Sequence, residues 1–380
     1  MGKFSLLFNN MGSYVLSNMN YEYGKLKDPS AYIRLLRINS EPSFQANCSM
    51  YCISLDQLPP FTAVSYRWGS SPAAKTIEID GMALCVRNNL WDLLKKLSIG
   101  ESRKITEPKY FWIDAICINQ DDIYERNSQV GLMHQIYSLA TLVYIWLGKG
   151  CLETDLAMNY MNEKVTYHVT SEQGHRVERC WIPTPLPQTW EISGIGGKIL
   201  TLFNNEYWER LWIIQEGILA QHIVILCGCK RIPWKVLEYF QENVVISAEH
   251  YPILLAGGCL ISASKAGSLI QAKQKFMTHS TFRDLGFPLL SSLEEFSEWK
   301  CYDTRDKVYG LLAVTRANMP VDYGITVEEL FRRVLRYVVI TETDRFCTRQ
   351  KVRELANNLA TCFELPRPNP WTSIEHLIRR

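Results

Sequence analysis

Two tryptophans and one glutamate recur at intervals of four residues in the segment Asn204–Ala220, which its apolar spacing predicts to be a single helix. Trp208, Trp212 and Glu216 would then form one row along the helix surface. An aromatic ring one turn from a carboxylate offers a flat apolar wall with a hydrogen-bond acceptor at its edge, and such a wall suits a ribose. The same residues also fit plainer roles, with the tryptophans packed in a core and Glu216 either solvated or paired with Arg210.

The run FWIDAICINQDD, which begins at Phe111, places an aspartate inside an apolar segment. We predict a buried strand over Tyr110–Ile118, in which the carboxylate of Asp114 needs a partner. Arg67 or Arg126 would supply that partner, and Asp114 would then organise a site rather than perform its chemistry. Arg67 has a second interpretation, because its planar guanidinium matches the geometry of a diphosphate.

Polar residues follow two of the predicted strands. Asn119 and Gln120 come after the strand predicted at Tyr110–Ile118, and residues 67–71 come after a strand predicted at Phe61–Tyr66. Ligands of open parallel sheets bind beyond the carboxyl ends of the strands. We therefore expect these two loops to line one crevice.

Composition argues against several kinds of partner and site. The 380 residues carry a net charge of +2, which gives no reason to expect nucleic acid as a partner. No stretch approaches the roughly 18–20 consecutive apolar residues that cross a bilayer, and the first residues lack the apolar core of a signal peptide. We therefore expect a cytoplasmic protein without a membrane span. The 12 cysteines lack zinc-ligand spacing, so we predict reduced, buried thiols and no metal.

Short alternating or apolar runs predict strands in the first quarter of the chain. The dipeptide Asp80-Gly81 between two such runs is the strongest short hairpin signal. The strands predicted from these runs are Tyr32–Ile38, Phe61–Tyr66, Lys75–Ile79 and Met82–Val86.

The centre of the chain predicts a parallel sheet. After the strand Tyr110–Ile118, the capping sequence Asp122-x-x-Glu125 predicts a helix that runs to about Leu139. The apolar strand Thr141–Leu147 follows. Because both strands are apolar throughout, the strand–helix–strand unit predicts parallel strands covered by helices.

The rest of the chain divides into an insertion, a strand and a helical region. Prolines mark an insertion near residues 165–195, Ile223–Cys227 predicts another buried strand, and helical patterns dominate from about Ile232. We therefore predict an N-terminal arm (1–30), an α/β domain (31–235) and a mainly helical C-terminal region (236–380).

Several stretches together resemble the fungal heterokaryon-incompatibility (HET) domain. The resemblance covers landmarks across about residues 32 to 335, and its most specific part is the run WIDAICINQ. The matching stretches are FTAVSYRWGS (61–70), the asparagine-leucine pair in VRNNLWDLL (86–94), FWIDAICINQDDIYERNSQVGLMHQIYSLATLVYIWLG (111–148), LWIIQEGILA (211–220), CGCKRIPW (227–234), DTRDKVYGLLAV (303–314) and PVDYGITVEELF (320–331).

The resemblance implies a role in fungal non-self recognition, where incompatible fusion triggers programmed cell death. HET domains are also remotely similar to Toll/interleukin-receptor (TIR) domains, which have a flavodoxin-like sheet and some of which hydrolyse NAD. That similarity implies a catalytic role for Glu216. It also implies that NAD or a related nucleotide, as a substrate rather than a cofactor, binds the residues Tyr66, Arg67, Trp68, Asn119, Gln120 and Trp212.

Three hypotheses about function remain open from the sequence. The first is a HET-family protein that cleaves NAD between nicotinamide and ribose. The second is a non-enzymatic signalling module that self-associates into a homo-oligomer and works with a separate sensor protein. The third is a HET-like scaffold recruited as a small-molecule biosynthetic enzyme.

Overall fold

The computed structural model describes most of the chain between residues 20 and 365. The described ranges are 20–39, 47–101, 109–164, 167–169, 179–181, 194–250, 260–342, 349–363 and residue 365. Most of the predicted N-terminal arm and most of the predicted insertion lie outside these ranges.

The chain forms two structural units, and each contains segments that are distant in sequence. The first unit contains residues 1–119, 139–208 and 220–270. The second contains residues 120–138, 209–219 and 271–380.

All described strands lie in the first unit. In chain order they are β1 (Tyr32–Ile38), β2 (Asn47–Ser54), β3 (Phe61–Tyr66), β4 (Lys75–Ile79), β5 (Met82–Val86), β6 (Tyr110–Trp112), β7 (Leu142–Trp146), β8 (Tyr167–Val169), β9 (Arg179–Trp181), β10 (Ile223–Cys227) and β11 (Lys230–Pro233). Nine of them form one mixed sheet in the order β11-β10-β7-β3-β6-β1-β2-β4-β5. The other two, β8 and β9, form a separate antiparallel pair.

The described helices are distributed over both units. In chain order they are α1 (Asn88–Glu101), α2 (Asp114–Cys117), α3 (Ile123–Leu139), α4 (Leu152–Lys164), α5 (Ile195–Phe203), α6 (Ile213–Leu219), α7 (Trp234–His250), α8 (Lys265–Thr278), α9 (Ser280–Leu285), α10 (Leu289–Glu295), α11 (Asp306–Tyr309), α12 (Leu312–Thr315), α13 (Val327–Thr341) and α14 (Arg349–Cys362). None of the described helices is long and apolar enough to cross a membrane.

The centre of the sheet is parallel, as the sequence predicts. β3 pairs in parallel with both β6 and β7, and β10 pairs in parallel with β7. Numbered by their order in the chain, these four strands lie across the sheet as second, first, third and fourth. The connection that leaves β3 leads to β6, on one side of β3. The connection that leaves β6 leads to β7, on the other side of β3. The winding therefore reverses between β3 and β7, and such a switch point is where open α/β sheets hold ligands.

The predicted hairpin at Asp80-Gly81 is confirmed. β4 and β5 pair antiparallel, with Ile79 opposite Met82. Asp80 and Gly81 have φ angles of 50° and 83°, and the tight hairpin turn that twists with its strands requires positive φ at both positions.

The strand predicted over Tyr110–Ile118 is wrong in its second half. β6 ends at Trp112, and Asp114–Cys117 form the single helical turn α2. The amide of Ala115 donates to Asp114 Oδ1 at 2.8 Å, so the aspartate side chain binds the backbone at the start of the turn. A continuous apolar run has no period by which a strand could be told from a buried helical turn.

The single helix predicted over Asn204–Ala220 is also wrong. Glu206–Glu209 form a 3-10 turn, and α6 begins only at Ile213. Between them, Arg210 forms a parallel β-bridge with Lys300, and the amide of Leu211 donates to the Lys300 carbonyl at 2.9 Å. Pairing with a segment ninety residues later in the chain therefore overrides the local helical pattern.

The described part of the second unit is helical and is fixed by side chains at its helix ends. The Thr326 hydroxyl accepts from the Glu329 amide at 3.2 Å and caps α13. The buried ammonium group of Lys273 donates to the carbonyls of Gly217 and Ile218, at 2.9 and 3.2 Å, in the last turn of α6. A cation at this end of a helix also stabilises the helix dipole.

Candidate functional site

Three predicted binding residues lie where β3 ends at the switch point. Tyr66 is the last residue of β3 and its side chain is buried, whereas Arg67 and Trp68 are half-buried. The Arg67 guanidinium forms an ion pair with Glu206. The side chains of these two residues are 44% and 67% exposed, so the pair lies at the surface. Surface ion pairs contribute about 0–1 kcal/mol, and an anionic ligand would displace Glu206 from Arg67 at little cost.

The carboxyl ends of β3 and β7 are joined by the side chain of Asn89, from α1. Asn89 Nδ2 donates to the carbonyl of Arg67 at 2.6 Å, and its Oδ1 accepts from the Trp146 indole at 2.8 Å. Trp146 is the last residue of β7 and lies opposite Tyr66 in the sheet. Sequence reasoning gave Asn89 no role, because only the strand order shows that β3 and β7 are neighbours.

Asp114 holds the loop after β3 through a partner that was not predicted. Its Oδ2 accepts from the Trp68 indole at 2.9 Å, whereas Arg67 pairs with Glu206. Asp114 therefore fits the predicted structural role through a hydrogen bond to Trp68 and not through an ion pair with Arg67.

Further polar groups lie around the end of β7. Asn205 Nδ2 donates to the carbonyl of Leu147 at 3.0 Å, and Lys149 Nζ lies 3.2 Å from a carboxylate oxygen of Asp92. With Arg67 and Glu206, these groups give the switch point a mixed charge. Such a surface has donors for a phosphate and acceptors for hydroxyl groups.

Asn119 and Gln120 lie in the turn between α2 and α3, where both are half-buried. Asn119 ends a segment of the first unit and Gln120 begins a segment of the second. Asp122 caps α3 as predicted, because its Oδ1 accepts from the amides of Tyr124 and Glu125 at 3.0 and 3.1 Å. The shared crevice expected for residues 67–71 and 119–122 stays a prediction.

The predicted row of Trp208, Trp212 and Glu216 is reduced to two residues. Trp208 is buried and donates to the carbonyl of Leu202 at 2.9 Å, in the first unit. In the second unit, the amide of Glu216 donates to the carbonyl of Trp212 at 3.2 Å, so one helical turn separates these two residues.

The carboxylate of Glu216 is buried and held by an arginine. The Glu216 side chain is 1% exposed, and its oxygens lie 3.4 and 3.5 Å from the two terminal nitrogens of Arg210. The pairing with Arg210 that the sequence left open therefore exists.

Trp212 also belongs to a second acidic group, which the sequence did not reveal. Its indole donates to Asp306 Oδ2 at 3.2 Å, and the Tyr323 hydroxyl donates to Asp306 Oδ1 at 2.6 Å. Burial of Asp306 raises the pKa of its carboxyl group to about 6. A local ion pair lies beside this group, with a terminal guanidinium nitrogen of Arg305 2.6 Å from Asp303 Oδ2.

The described residues offer no evident metal site. No group of three or more histidine, cysteine, aspartate or glutamate side chains within the described ranges is arranged to hold a metal ion. No disulfide joins the cysteines whose side chains the structure describes. Burial was predicted for all of them and holds for Cys48, Cys117, Cys227 and Cys362, whereas Cys52, Cys85, Cys151 and Cys229 are exposed.

Comparison with known proteins agrees with the resemblance in the sequence. Residues 61–216 match the family described as "Heterokaryon incompatibility protein (HET)". The chain is 30% identical over 248 residues to "Heterokaryon incompatibility protein 6, OR allele" of Neurospora crassa, a match that covers 58% of this chain and 36% of that protein. No solved structure matches the chain. Residues 61–216 therefore carry a domain of the heterokaryon-incompatibility (HET) family.

Proposed function

We propose that the protein acts in fungal non-self recognition and that its output is programmed cell death. The proposal is supported by the match of residues 61–216 to the HET family and by the similarity to the Neurospora protein. The chain spans about a third of the length of that relative, so the role of the whole relative is carried over only as a proposal. A cytoplasmic location and a separate sensor protein belong to the same proposal.

We infer that the α/β part is a TIR-like domain over residues 31–235, followed by a helical region over 236–380. The order of the parallel strands supports the inference: second, first, third and fourth is the arrangement of flavodoxin-like sheets. In such sheets the ligand lies at the switch point, which here carries Arg67 and Trp68.

We propose NAD as the substrate and Glu216 as the catalytic carboxylate. Cleavage of the nicotinamide–ribose bond by water yields nicotinamide, ADP-ribose and a proton, and positive charge develops on the sugar as the bond breaks. A carboxylate stabilises that charge, and nicotinamide leaves as a neutral molecule without a strong general acid. The observation that carries the assignment is the position of Glu216 one helical turn from Trp212. Because Glu216 is 1% exposed, the chemistry requires Arg210 to turn away when a substrate binds.

The test is nicotinamide release from NAD by the purified protein, measured by chromatography. Glu216→Gln keeps a hydrogen-bond acceptor for Arg210, and we expect it to lower turnover by about 100-fold or more because it removes the charge. Glu209→Gln is the matched control: Glu209 is 36% exposed and pairs with Lys300, so turnover should stay unchanged. Equal turnover in Glu216→Gln and the wild type, with both folded by circular dichroism, would contradict the assignment.

The burial of Glu216 favours a second candidate, a signalling module without enzymatic activity. A carboxylate that is 1% exposed and already paired with Arg210 can serve the fold alone. This candidate predicts no nicotinamide from the wild type and a molecular mass by light scattering that rises with protein concentration. A monomer at all concentrations that releases nicotinamide would exclude it.

A further inference from the structure

Arg126, in the first turn of α3, is an arginine whose donors find no acceptor among the described residues. Its Nε atom is buried and has no hydrogen-bond partner there. The guanidinium lies 4.3 Å from the centre of the Tyr323 ring, which holds it by a cation–π contact. A buried donor without an acceptor costs about 1–3 kcal/mol, so the position of Arg126 favours an acceptor that comes from outside the chain.

The charged side chains near Arg126 differ in whether a group of opposite charge is hydrogen-bonded to them. Asp303 is held by Arg305 through two hydrogen bonds, of 2.9 and 2.6 Å, which outweigh its burial and keep its pKa below the usual value. Arg305 also donates to the carbonyls of Tyr323 and Ile325. The oxygens of Asp306, by contrast, accept from two neutral groups, the Tyr323 hydroxyl and the Trp212 indole. Arg126 is thus the cation of this group that has no hydrogen-bonded carboxylate among the described residues.

Arg126 and the residues around it all lie in the second unit, and the backbone fixes their positions. The amide of Tyr323 donates to Asn127 Oδ1 at 3.0 Å, which ties the Tyr323 ring to the first turns of α3. The rings of Tyr309 and Tyr323 meet edge to face, with centroids 5.2 Å apart. Asp306 and Tyr323 are buried, whereas the outer members are half-buried. These outer members are Arg126, Trp212, Asp303 and Arg305.

We propose that this group, the Arg126 cluster (Arg126, Trp212, Asp303, Arg305, Asp306 and Tyr323), binds the oxyanion group of a small ligand and takes up a proton on Asp306 as it does so. A planar guanidinium binds a phosphate, sulfate or carboxylate through paired hydrogen bonds. A negative ligand beside ionised Asp303 and Asp306 is repelled, and the repulsion is relieved when one carboxylate is protonated. Arg305 keeps Asp303 ionised, so Asp306 takes the proton.

Because the cluster takes up a proton when it binds an oxyanion, its affinity for the oxyanion should rise as the pH falls. Because the pKa of Asp306 is raised to about 6, its carboxyl group is mostly protonated at pH 5.5 and mostly ionised at pH 7.5. If the protonated form is the one that binds, the apparent affinity scales with its fraction and is about 20-fold higher at pH 5.5 than at pH 7.5. The charged or titratable groups that act on Asp306 include Arg126, Asp303 and Tyr323. Because Arg305 keeps the pKa of Asp303 below its usual value, Asp303 stays ionised across this range.

Sulfate is the probe, because its own charge is constant across this pH range. We would titrate it into the whole protein by calorimetry at both pH values, with sodium chloride used to hold the ionic strength constant. We expect binding about 20-fold tighter at pH 5.5, as the linkage requires. Undetectable binding at both pH values, or equal binding at both, would overturn the proposal. The test measures binding alone, so its result is independent of NAD cleavage by Glu216.

Four variants test whether the effect belongs to the cluster. Arg126→Gln should lose sulfate binding at both pH values, and Arg332→Gln, which removes an exposed arginine paired with Glu329, should keep it. Asp306→Asn is neutral at both pH values and should bind at pH 7.5 as tightly as the wild type does at pH 5.5. If Arg126→Gln does not fold, Arg126→Lys keeps the charge without the planar fork and should bind at least about tenfold more weakly. Wild-type affinity in the Arg126 variant, or wild-type pH dependence in Asp306→Asn, would refute the assignment.

Discussion

At the scale of single residues, the loop after β3 depends on the hydrogen bond between Trp68 and Asp114. The indole nitrogen and the carboxylate oxygen are 2.9 Å apart, and both residues are half-buried. Hydrogen bonds to charged groups contribute about 1.5–3 kcal/mol when they are shielded from water, and partial exposure lowers that figure. The bond keeps Trp68 from moving freely beside Arg67, so it positions the residues proposed to meet a ligand.

The coupling of Trp68 to Asp114 can be measured by a double-mutant cycle. We expect Trp68→Phe and Asp114→Ala to show a coupling energy of about 1 kcal/mol in urea unfolding, because each change removes one partner of the same bond. A matched cycle of Trp68→Phe with Asp56→Ala, at an exposed aspartate, should show a coupling near zero. Equal coupling in the two cycles would mean that the Trp68–Asp114 bond contributes nothing to stability.

Residue types alone revealed part of the candidate site. The sequence identified Arg67 and the need of Asp114 for a partner, because a buried carboxylate and a basic loop are visible in the sequence. Trp68 was implied by the resemblance to HET and TIR domains. The sequence gave Asn89 and Asp306 no role in a site, because their importance depends on neighbours more than fifty residues away in the chain. No local pattern contains that information.

At the scale of elements, the sequence succeeded where local chemistry decides the structure. The β4–β5 hairpin follows from two residues that tolerate positive φ, and α3 begins at the predicted capping aspartate. The segment 204–220 failed because Lys300 pairs with Arg210 and interrupts the helical pattern. The turn between β10 and β11 is another place where a distant segment decides, because Gly228 approaches the backbone of Lys149.

Gly228 should not tolerate a side chain. Its φ is +54°, and a Cβ atom there would lie 2.3 Å from the carbonyl oxygen of Lys149. The left-handed backbone costs about 1–2 kcal/mol for alanine, and the clash adds to that cost, so we expect Gly228→Ala to lower the free energy of unfolding by at least about 2 kcal/mol. The measurement is urea unfolding followed by circular dichroism.

Gly131 is a control position, at which the same substitution to alanine should stabilise the protein. It lies on the exposed side of α3, and nothing is within 4 Å of an added Cβ atom. Gly131→Ala should therefore raise stability by about 0.5–1 kcal/mol, because alanine favours the helix. A stabilising effect of Gly228→Ala would show that the turn relaxes freely away from Lys149.

At the scale of the whole molecule, the two units are not consecutive pieces of the chain. Residues 120–138 and 209–219 belong with the C-terminal segment 271–380, and the hydrogen bonds from Trp212 to Asp306 and from Tyr323 to Asn127 show how such segments are joined. Hydrophobic periodicity describes single elements and does not say which distant elements pack together. The sequence could therefore predict the α/β class and the helical C-terminal region, whereas the extent of each domain stays a proposal.

The raised pKa of Asp306 should appear in the stability of the whole molecule. Its carboxyl group has a pKa of about 6 in the folded protein against an ordinary value of 3.8, so the folded protein binds more protons between these values. Stability contributed by this group is then complete below about pH 4 and is lost as the pH rises through 6. The difference between the two pKa values corresponds to about 3 kcal/mol of stability, and the Asp306→Asn variant should lack this contribution.

Comparing the wild type with the Asp306→Asn variant isolates the contribution of Asp306, because the two proteins share all their other titrating groups. We expect the free energy of unfolding of the wild type, minus that of Asp306→Asn, to fall by about 2 kcal/mol between pH 4.5 and 7, as the linkage of protonation to folding requires. Urea unfolding at several pH values measures the difference. A difference that stays constant would mean that folding leaves the pKa of this carboxyl group unchanged, and one that rises with pH would mean that folding lowers it. Proton uptake by Asp306 would then no longer explain a pH-dependent affinity of the Arg126 cluster for an oxyanion.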